Sequence, residues 1–186
     1  MRDKVLGLPV DVMSKKEVVT VVDNWIKIPT GKLRLLVTAY SEFFVRARAD
    51  KEFARIVSKA DMVTADGRSV LAAVEYGRKT QKLKNSKTQN VVRFIMEGAK
   101  VGWRILGDDL GETVTGVWLF EELAREASKK GLKIFLLGGW DKVSERASKI
   151  LLERFPNLLV KYDSGEEVVG QSLEENNRII EKINKF

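Results

Sequence analysis

The 186-residue sequence contains no cysteine and no histidine. The lack of cysteine excludes disulfides and thiol nucleophiles, and it is typical of proteins in a reducing compartment. The lack of histidine excludes an imidazole general base, a histidine metal ligand and a Ser-His-Asp triad. Any acid–base chemistry must therefore use Asp, Glu, Lys or Tyr side chains.

The sequence also lacks a run of about 18 apolar residues, so it predicts no membrane-spanning helix. Its first residues, Met1-Arg2-Asp3-Lys4, lead directly into a strand-like segment, and we expect no signal peptide. Hydrophobic residues make up 44% and charged residues 32% of the chain, which is the composition of an ordinary soluble domain.

Positive charge is in excess, with 33 Lys and Arg against 26 Asp and Glu, a net charge of +7. Such an excess favours polyanionic partners, namely nucleic acid, anionic lipid or phosphorylated substrates. The basic residues are dispersed, however, and the densest stretch, residues 78–87, has no aromatic residues between them. A solvated basic surface is therefore the alternative interpretation.

Strand-like apolar segments alternate with helical patterns along the chain. The strands are predicted at residues 33–38, 62–64, 132–137 and 158–162, after a short strand or hairpin at residues 5–11. Ser14 and Glu17 form a capping box before the first helix. This order predicts an α/β fold with a Rossmann-like, mostly parallel sheet and helices on both faces, in one domain spanning residues 1–186.

Two segments between these elements are harder to assign. Residues 103–106 are predicted to form a strand or an exposed apolar patch, and exposed apolar residues in 91–106 suggest a subunit contact. Asp108-Asp109 is predicted to lie in a loop or helix cap, because no third ligand at a defined spacing supports a metal site.

One segment contains the main candidate for a catalytic residue. It is Ala60-Asp61-Met62-Val63-Thr64-Ala65-Asp66-Gly67-Arg68. It predicts a buried strand, a tight turn at Asp66-Gly67 and a helix that begins near Arg68. Open α/β sheets bind ligands at the carboxyl ends of their strands, so Asp66 suits a catalytic carboxylate beside an anionic substrate. The alternative is an Asp-Gly turn that only caps the helix, and spacing alone favours this alternative.

Two other segments end a strand in a similar way. Thr38 ends the strand at 33–38, and if the two strands are neighbours, Thr38 and Asp66 face one cleft. Gly138 and Gly139 lie between the strand at 132–137 and a helix, an arrangement that can hold a phosphate group. They match neither the dinucleotide fingerprint nor a P-loop, so this signal is weak when taken alone.

Four segments together resemble the WecG/TagA/CpsF glycosyltransferases (glycosyltransferase family 26), which make bacterial surface polymers such as wall teichoic acid. The segments cover most of the chain, and the pattern Ala-Asp-x-Val-Thr-x-Asp-Gly is distinctive. They are Val5-Leu6-Gly7-Leu8-Pro9-Val10-Asp11 with Glu17, Thr38-Ala39-Tyr40-Ser41-Glu42, Ala60-Asp61-Met62-Val63-Thr64-Ala65-Asp66-Gly67 and Ile134-Phe135-Leu136-Leu137-Gly138-Gly139.

The resemblance implies an inverting transfer of N-acetylmannosamine, or a related sugar, from its UDP donor to undecaprenyl-diphosphate-linked N-acetylglucosamine. It implies that Asp66 is the base that deprotonates the acceptor hydroxyl, with Thr38 nearby in the same pocket. It also implies substrate-binding roles for the corresponding positions, which are Gly67, Tyr40, Gly138, Gly139, Thr115 and Gly116. We predict no cofactor and no metal ligand.

The chain departs from the family pattern at several positions. Tyr40 stands where the family has Asn, and Thr113-Val114-Thr115-Gly116-Val117-Trp118-Leu119 lacks the Arg and the Asp of the family's Arg-Val-x-Gly-x-Asp-Leu. Family members also continue with a basic carboxyl-terminal region that closes the site, so we expect this chain to lack that segment.

The resemblance further implies a cytoplasmic protein at the inner face of the bacterial plasma membrane, which self-associates and binds no nucleic acid. Two alternatives remain at this point. One is a module that binds a nucleotide sugar without turnover, which the missing Arg and Asp favour. The other is a nucleic-acid-binding domain, which only the net charge supports.

Overall fold

The structure is a computed structural model that describes residues 2–28, 31–84, 91–107, 110–165 and 172–186. Within these ranges the strands are β1 Arg2–Val5, β2 Leu8–Asp11, β3 Leu36–Ala39, β4 Met62–Ala65, β5 Lys133–Leu137 and β6 Leu159–Asp163. The helices there are α1 Lys15–Lys27, α2 Ser41–Ala49, α3 Lys51–Ser58, α4 Arg68–Lys84, α5 Val91–Leu106, α6 Gly116–Lys130, α7 Val143–Arg154 and α8 Leu173–Asn184. The predicted α/β class is confirmed, with helices flanking mostly parallel strands.

The chain forms two compact units, Met1–Trp118 and Leu119–Phe186. In the first unit the strand order is β1-β2-β4-β3, with β1 antiparallel to β2 and the other neighbours parallel. In the second unit β5 and β6 pair in parallel. The prediction of a single domain over residues 1–186 stays a prediction.

A two-residue turn fixes the first hairpin. Val5 pairs with Leu8, so the loop consists of Leu6 and Gly7, which have φ of 47° and 93°. Two successive residues with positive φ match the twist of the flanking strands, as in type I′ hairpins. The predicted capping box follows at α1, where Ser14 and Glu17 bond reciprocally. The hairpin and this cap set the start of α1.

The core of the first unit lies against the parallel strands β3 and β4. Val63, Ala39 and Ala65 are 3% exposed or less, and they pack with apolar side chains of the flanking helices. All four residues of β4 are buried, which is expected of a strand covered on both faces. The buried middle of this sheet therefore fixes the position of the residues that follow β4, beginning with Asp66.

The second unit has a smaller core and an ion cluster. Ala124, Ala127, Leu151 and Leu158 form the core between α6, α7 and the β5–β6 pair. The carboxylate of Asp163, at the end of β6, accepts hydrogen bonds from two basic side chains of α8, those of Arg178 and Lys182. These bonds attach α8 to the end of the strand.

The structure corrects one expected element. Residues 103–106, predicted as a strand or exposed patch, continue helix α5 instead of forming a strand. Val101 is buried and Trp103 is exposed, and these positions fall on opposite sides of a helix with 3.6 residues per turn. Asp108 and Asp109 lie outside the described residues. None of the helices in the described part is both long enough and apolar enough to cross a membrane.

Candidate active site

The strand register brings the two predicted catalytic residues to one edge of the first sheet. Thr38 in β3 pairs with Thr64 in β4, and Ala39 pairs with Ala65. The backbone N–H of Asp66 then donates to the carbonyl oxygen of Ala39 at 3.0 Å, which extends the pairing by one residue. Because side chains alternate along a strand, the position of Asp66 returns to the face of Thr64 and Thr38.

The carboxylate of Asp66 contacts the amino end of helix α6. Its Oδ2 accepts a hydrogen bond from the backbone N–H of Gly116, the first residue of that helix, at 3.0 Å. This N–H has no acceptor inside its own helix, so the carboxylate provides one. The sequence also allowed an Asp-Gly turn in which Asp66 only caps the next helix, α4. That alternative does not account for the bond to Gly116, which lies 50 positions further along the chain.

Gly116 also touches Thr38, so three segments meet at one point. A methyl group at Gly116 would lie 3.0 Å from the hydroxyl oxygen of Thr38 and 3.4 Å from Oδ2 of Asp66. Only a glycine leaves both oxygens undisturbed, although its φ is not in the left-handed region. Thr38 and Asp66 are half-buried, so their side chains are held by the protein and still reach solvent.

A short loop before α6 is anchored on β4, and this anchor positions Gly116. The N–H of Val114 donates to the carbonyl of Ala65 at 3.0 Å, and the hydroxyl of Thr64 lies 3.4 Å from the carbonyl of Val114. Val114 and Thr64 are fully buried. The loop therefore extends the sheet edge and directs the amino end of α6 at Asp66.

Thr115, predicted to bind substrate, has a structural partner in the same loop. Its hydroxyl accepts a hydrogen bond from the N–H of Trp118 at 3.3 Å, as an N-cap residue does. Thr115 thus stabilises the first turn of α6, and its substrate contact stays a prediction.

Gly67 has no conformational reason to be glycine. Its φ is outside the left-handed region, and a methyl group there would meet only Oγ of Ser69, at 3.7 Å. Its carbonyl accepts the first hydrogen bond of α4, from the N–H of Val70. An open position at a helix amino end, next to the carboxylate, leaves room for a ligand to approach the backbone.

Tyr40 lies just beyond β3, two residues after Thr38. Its ring packs edge-on against Phe43 at 4.8 Å between centroids, and the residue is 45% exposed. It occupies the N-cap position of α2 without a capping hydrogen bond from its side chain. The phenol is thus supported from one side and accessible from the other.

Gly138 and Gly139 belong to the second unit, where their conformation has a structural cause. Both have positive φ, 93° and 94°, and a methyl group on Gly139 would lie 2.8 Å from Cβ of Val143. The N–H of Gly138 already donates to the carbonyl of Asp163 at 2.9 Å. Their role in binding the nucleotide stays a prediction. While the N–H of Gly138 is bonded to Asp163 of β6, it does not donate to a phosphate group.

The supporting contacts were not foreseen from the sequence. Asp11 accepts the N–H of Val63 at 2.8 Å, and Glu112 accepts the N–H of Lys15 at 2.8 Å. Only the contact of Thr64 with Val114 had a signal in the sequence. A hydroxyl within a buried apolar strand requires a hydrogen-bond partner. The others depend on pairs far apart in the chain.

No metal-binding cluster of three or more acidic, histidine or cysteine side chains exists among the residues that the structure describes. A described partner of the Asp66 carboxylate is the backbone N–H of Gly116.

Comparison with known proteins gives one family. The model of the glycosyl transferase WecG/TagA/CpsF family matches residues 3–106 and 96–186, two parts that overlap within α5 and together cover most of the chain. No curated protein matches the chain significantly. The matched residues include Thr38, Asp66 and Gly116, which the fold brings together. The chain belongs to the WecG/TagA/CpsF family of glycosyltransferases.

Proposed function

We propose that the protein is an inverting glycosyltransferase in which Asp66 is the general base. The donor is UDP-N-acetylmannosamine or a related UDP sugar, and the acceptor is undecaprenyl-diphosphate-linked N-acetylglucosamine, in the synthesis of a cell-surface polymer such as wall teichoic acid. The observation that carries the proposal is the meeting of Asp66, Thr38 and Gly116 at the carboxyl edge of β3 and β4.

The proposed step is a single displacement at the anomeric carbon. Asp66 takes the proton of the acceptor hydroxyl while the hydroxyl oxygen attacks the carbon from the face opposite UDP. A new C–O bond forms as the bond to the UDP phosphate oxygen breaks, and UDP leaves with that electron pair. A general base of this kind contributes about 10²–10⁴-fold to the rate.

The hydrogen bond to Gly116 supports this role because it orients the carboxylate. One oxygen, Oδ2, is held by a backbone N–H at the end of a helix, and we assign proton abstraction to Oδ1. The hydroxyl of Thr38 also lies beside Gly116, close enough to bind the same sugar substrate. A displacement at the anomeric carbon requires that the base and the substrate-binding group are held in fixed positions, and here both are positioned by strands of one sheet.

We further propose that the protein acts at the cytoplasmic face of the bacterial plasma membrane, as a peripheral protein that self-associates. The lipid-linked acceptor requires access to a bilayer, and the net charge of +7 favours an anionic surface. We propose no cofactor and no nucleic-acid partner. The proposed substrate contacts remain the six predicted positions, Gly67, Tyr40, Gly138, Gly139, Thr115 and Gly116.

The direct test is a transfer assay with several UDP sugars and a short-chain lipid-diphosphate acceptor, with products identified by mass spectrometry. The expected result is transfer from UDP-N-acetylmannosamine, which Asp66→Asn slows by about 10²–10⁴-fold. Gly77→Ala is the matched control, because a methyl group at Gly77 in α4 meets nothing within 4 Å. No transfer from any UDP sugar, by a protein that binds them, would overturn the enzymatic proposal.

That outcome would favour the second candidate, a module that binds a nucleotide sugar without turnover. The observation in its favour is that Thr113 and Trp118 stand where the family resemblance expects an Arg and an Asp. Thermal shift separates the two from a protein with no nucleotide site, since a ligand that binds the folded state raises the melting temperature.

A further inference from the structure

Helix α5 has an apolar face in contact with solvent in addition to its side against α4. On the packed side, Val101 is buried and Gly98 lies against the ring of Tyr76. On the opposite side, five large apolar side chains are between 52% and 76% exposed. We call this set the outer face of α5; it consists of Val91, Val92, Ile95, Met96 and Trp103.

The outer face is continuous. At 100° per residue, its side chains cover an arc of about 140° that also contains Ala99 and Gly102 and no polar residue. From Val91 to Trp103 it extends about 18 Å along the helix. Isolated apolar residues on a surface are ordinary, whereas a continuous helical stripe of this size marks a contact surface.

Basic side chains line one edge of this stripe. Arg93, Lys100 and Arg104 follow each other around the helix just beyond Met96 and Trp103. Lys100 pairs with Glu97 and Arg104 pairs with Glu75, and both carboxylates lie toward the packed side. An apolar stripe with a cationic edge and a tryptophan is the pattern of a helix that lies in a membrane interface.

We propose that the outer face of α5 docks the protein on an anionic lipid bilayer. The charge distribution distinguishes this partner from a second copy of the chain. Two copies in contact through this face would bring their cationic edges together, whereas an anionic lipid surface complements that edge. The apolar side chains enter the acyl boundary, and Arg93 and Lys100, which are exposed, reach the phosphate groups.

Helix α5, which carries the docked face, contacts the segment next to the candidate active site through its backbone. Near its carboxyl end, the carbonyl of Ile105 lies 3.4 Å from a guanidinium nitrogen of Arg68, the first residue of α4. Arg68 follows Asp66 and Gly67 directly. The inference rests on the proposed function in one respect, that docking here brings Asp66 close to a surface that carries the lipid-linked acceptor.

The test measures binding of the full chain to vesicles by co-sedimentation and by tryptophan fluorescence. The vesicles contain phosphatidylcholine alone, or equal parts of phosphatidylcholine and phosphatidylglycerol. We expect binding to the anionic vesicles that decreases with salt, and a blue shift of the emission. Trp103→Ala should weaken this binding about tenfold or more, as expected for a large apolar side chain removed from an apolar phase.

Two matched controls make the test specific. Trp140, at 78% exposed, is as accessible as Trp103 but lies in the second unit, and Trp140→Ala should retain vesicle binding. Reversal of Arg93 and Lys100 to Glu should weaken binding about 30-fold or more, at about 1 kcal/mol per cation. The same charge change at Arg146 and Lys149 of α7 should have a smaller effect.

Three outcomes would overturn the inference. They are equal binding by Trp103→Ala and the unmodified chain, no binding to anionic vesicles, and dimerisation in solution that the Trp103 variant abolishes, which would assign the face to a second copy. Transfer to a short-chain water-soluble acceptor is measured in parallel. Vesicle binding without any transfer refutes the proposed function alone, whereas transfer with equal binding by both proteins refutes the docking surface alone.

Discussion

Gly116→Ala is the substitution that the site geometry constrains most closely. Elsewhere in a helix, alanine is more favourable than glycine by up to about 1 kcal/mol. Here the added methyl would lie 3.0 Å from the hydroxyl oxygen of Thr38, closer than carbon and oxygen normally approach. Either Thr38 or the start of α6 must move by a few tenths of an ångström, and the hydrogen bond to Asp66 then lengthens.

We therefore expect Gly116→Ala to fold with a free energy of unfolding within about 1 kcal/mol of the original, because gain and strain offset each other. The transfer rate should fall about tenfold or more, since displacements below 1 Å at a reacting group already have large effects. Thermal unfolding and the UDP-release rate measure the two quantities. Gly77→Ala gives the helix effect alone, because its methyl meets nothing within 4 Å.

A double-mutant cycle identifies the contact responsible. Thr38→Ala removes the hydroxyl that the new methyl would strike, so Gly116→Ala should be less harmful in that background than in the original chain. Equal effects in both backgrounds would refute the crowding argument. A fully active Gly116→Ala protein would refute the meeting of the three residues as a functional site.

Other predictions follow from individual contacts. Gly67→Ala should change the free energy of unfolding by no more than about 1 kcal/mol, because the added methyl group has room. It should nevertheless bind UDP more weakly in calorimetry, and equal binding would show that Gly67 is not part of the site. Gly139→Ala should lower the free energy of unfolding by more than Gly131→Ala. At Gly131 the positive φ alone costs about 1–2 kcal/mol, whereas at Gly139 the methyl group also clashes with Val143. Equal losses in chemical denaturation would contradict this. Hydrogen bonds from Arg178 hold the pKa of Asp163 below its ordinary value, so their stabilisation is present above about pH 4 and is lost as the pH falls further. Asp163→Asn should cost about 2 kcal/mol at neutral pH and leave a smaller acid dependence in denaturation curves, and an unchanged curve would contradict this.

Local signals predicted most of the elements from the sequence. The capping box at Ser14 and Glu17 and the strands at 62–64 and 132–137 all depend on residues a few positions apart. Of the two interpretations of residues 103–106, the strand was wrong, because a short segment with three apolar residues fits either periodicity. The other interpretation, an exposed apolar patch, agrees with the exposure of Trp103. The helical assignment depends on contacts with α4 that local spacing does not contain.

The candidate site was predictable only in part, for the same reason. The strand ends of Thr38 and Asp66 could be identified from apolar runs, and the register that makes them neighbours is now given by the pairing of β3 with β4. The hydrogen bond from Gly116 to Asp66 joins residues 50 positions apart, and a pattern of local spacing carries no information on it. The resemblance to the family motif named Gly116, but its contact with Thr38 required the fold.

The anchors of the site are also long-range. Val114 bonds to Ala65, and Glu112 bonds to the backbone of Lys15, at separations of about half the chain or less. These bonds set the loop that precedes α6, and through it the distance from Gly116 to Asp66. Substitutions at Val114 are thus expected to affect activity through position rather than through contact with substrate.

The most direct test of the account is a single-turnover measurement on Asp66→Asn. Asparagine retains an oxygen for the N–H of Gly116 but cannot accept the proton of a sugar hydroxyl, so it separates orientation from basicity. With donor and acceptor already bound, we predict an unchanged melting temperature, unchanged UDP binding and a chemical step slower by about 10²–10⁴-fold. A chemical step at the original rate would show that Asp66 is not the base.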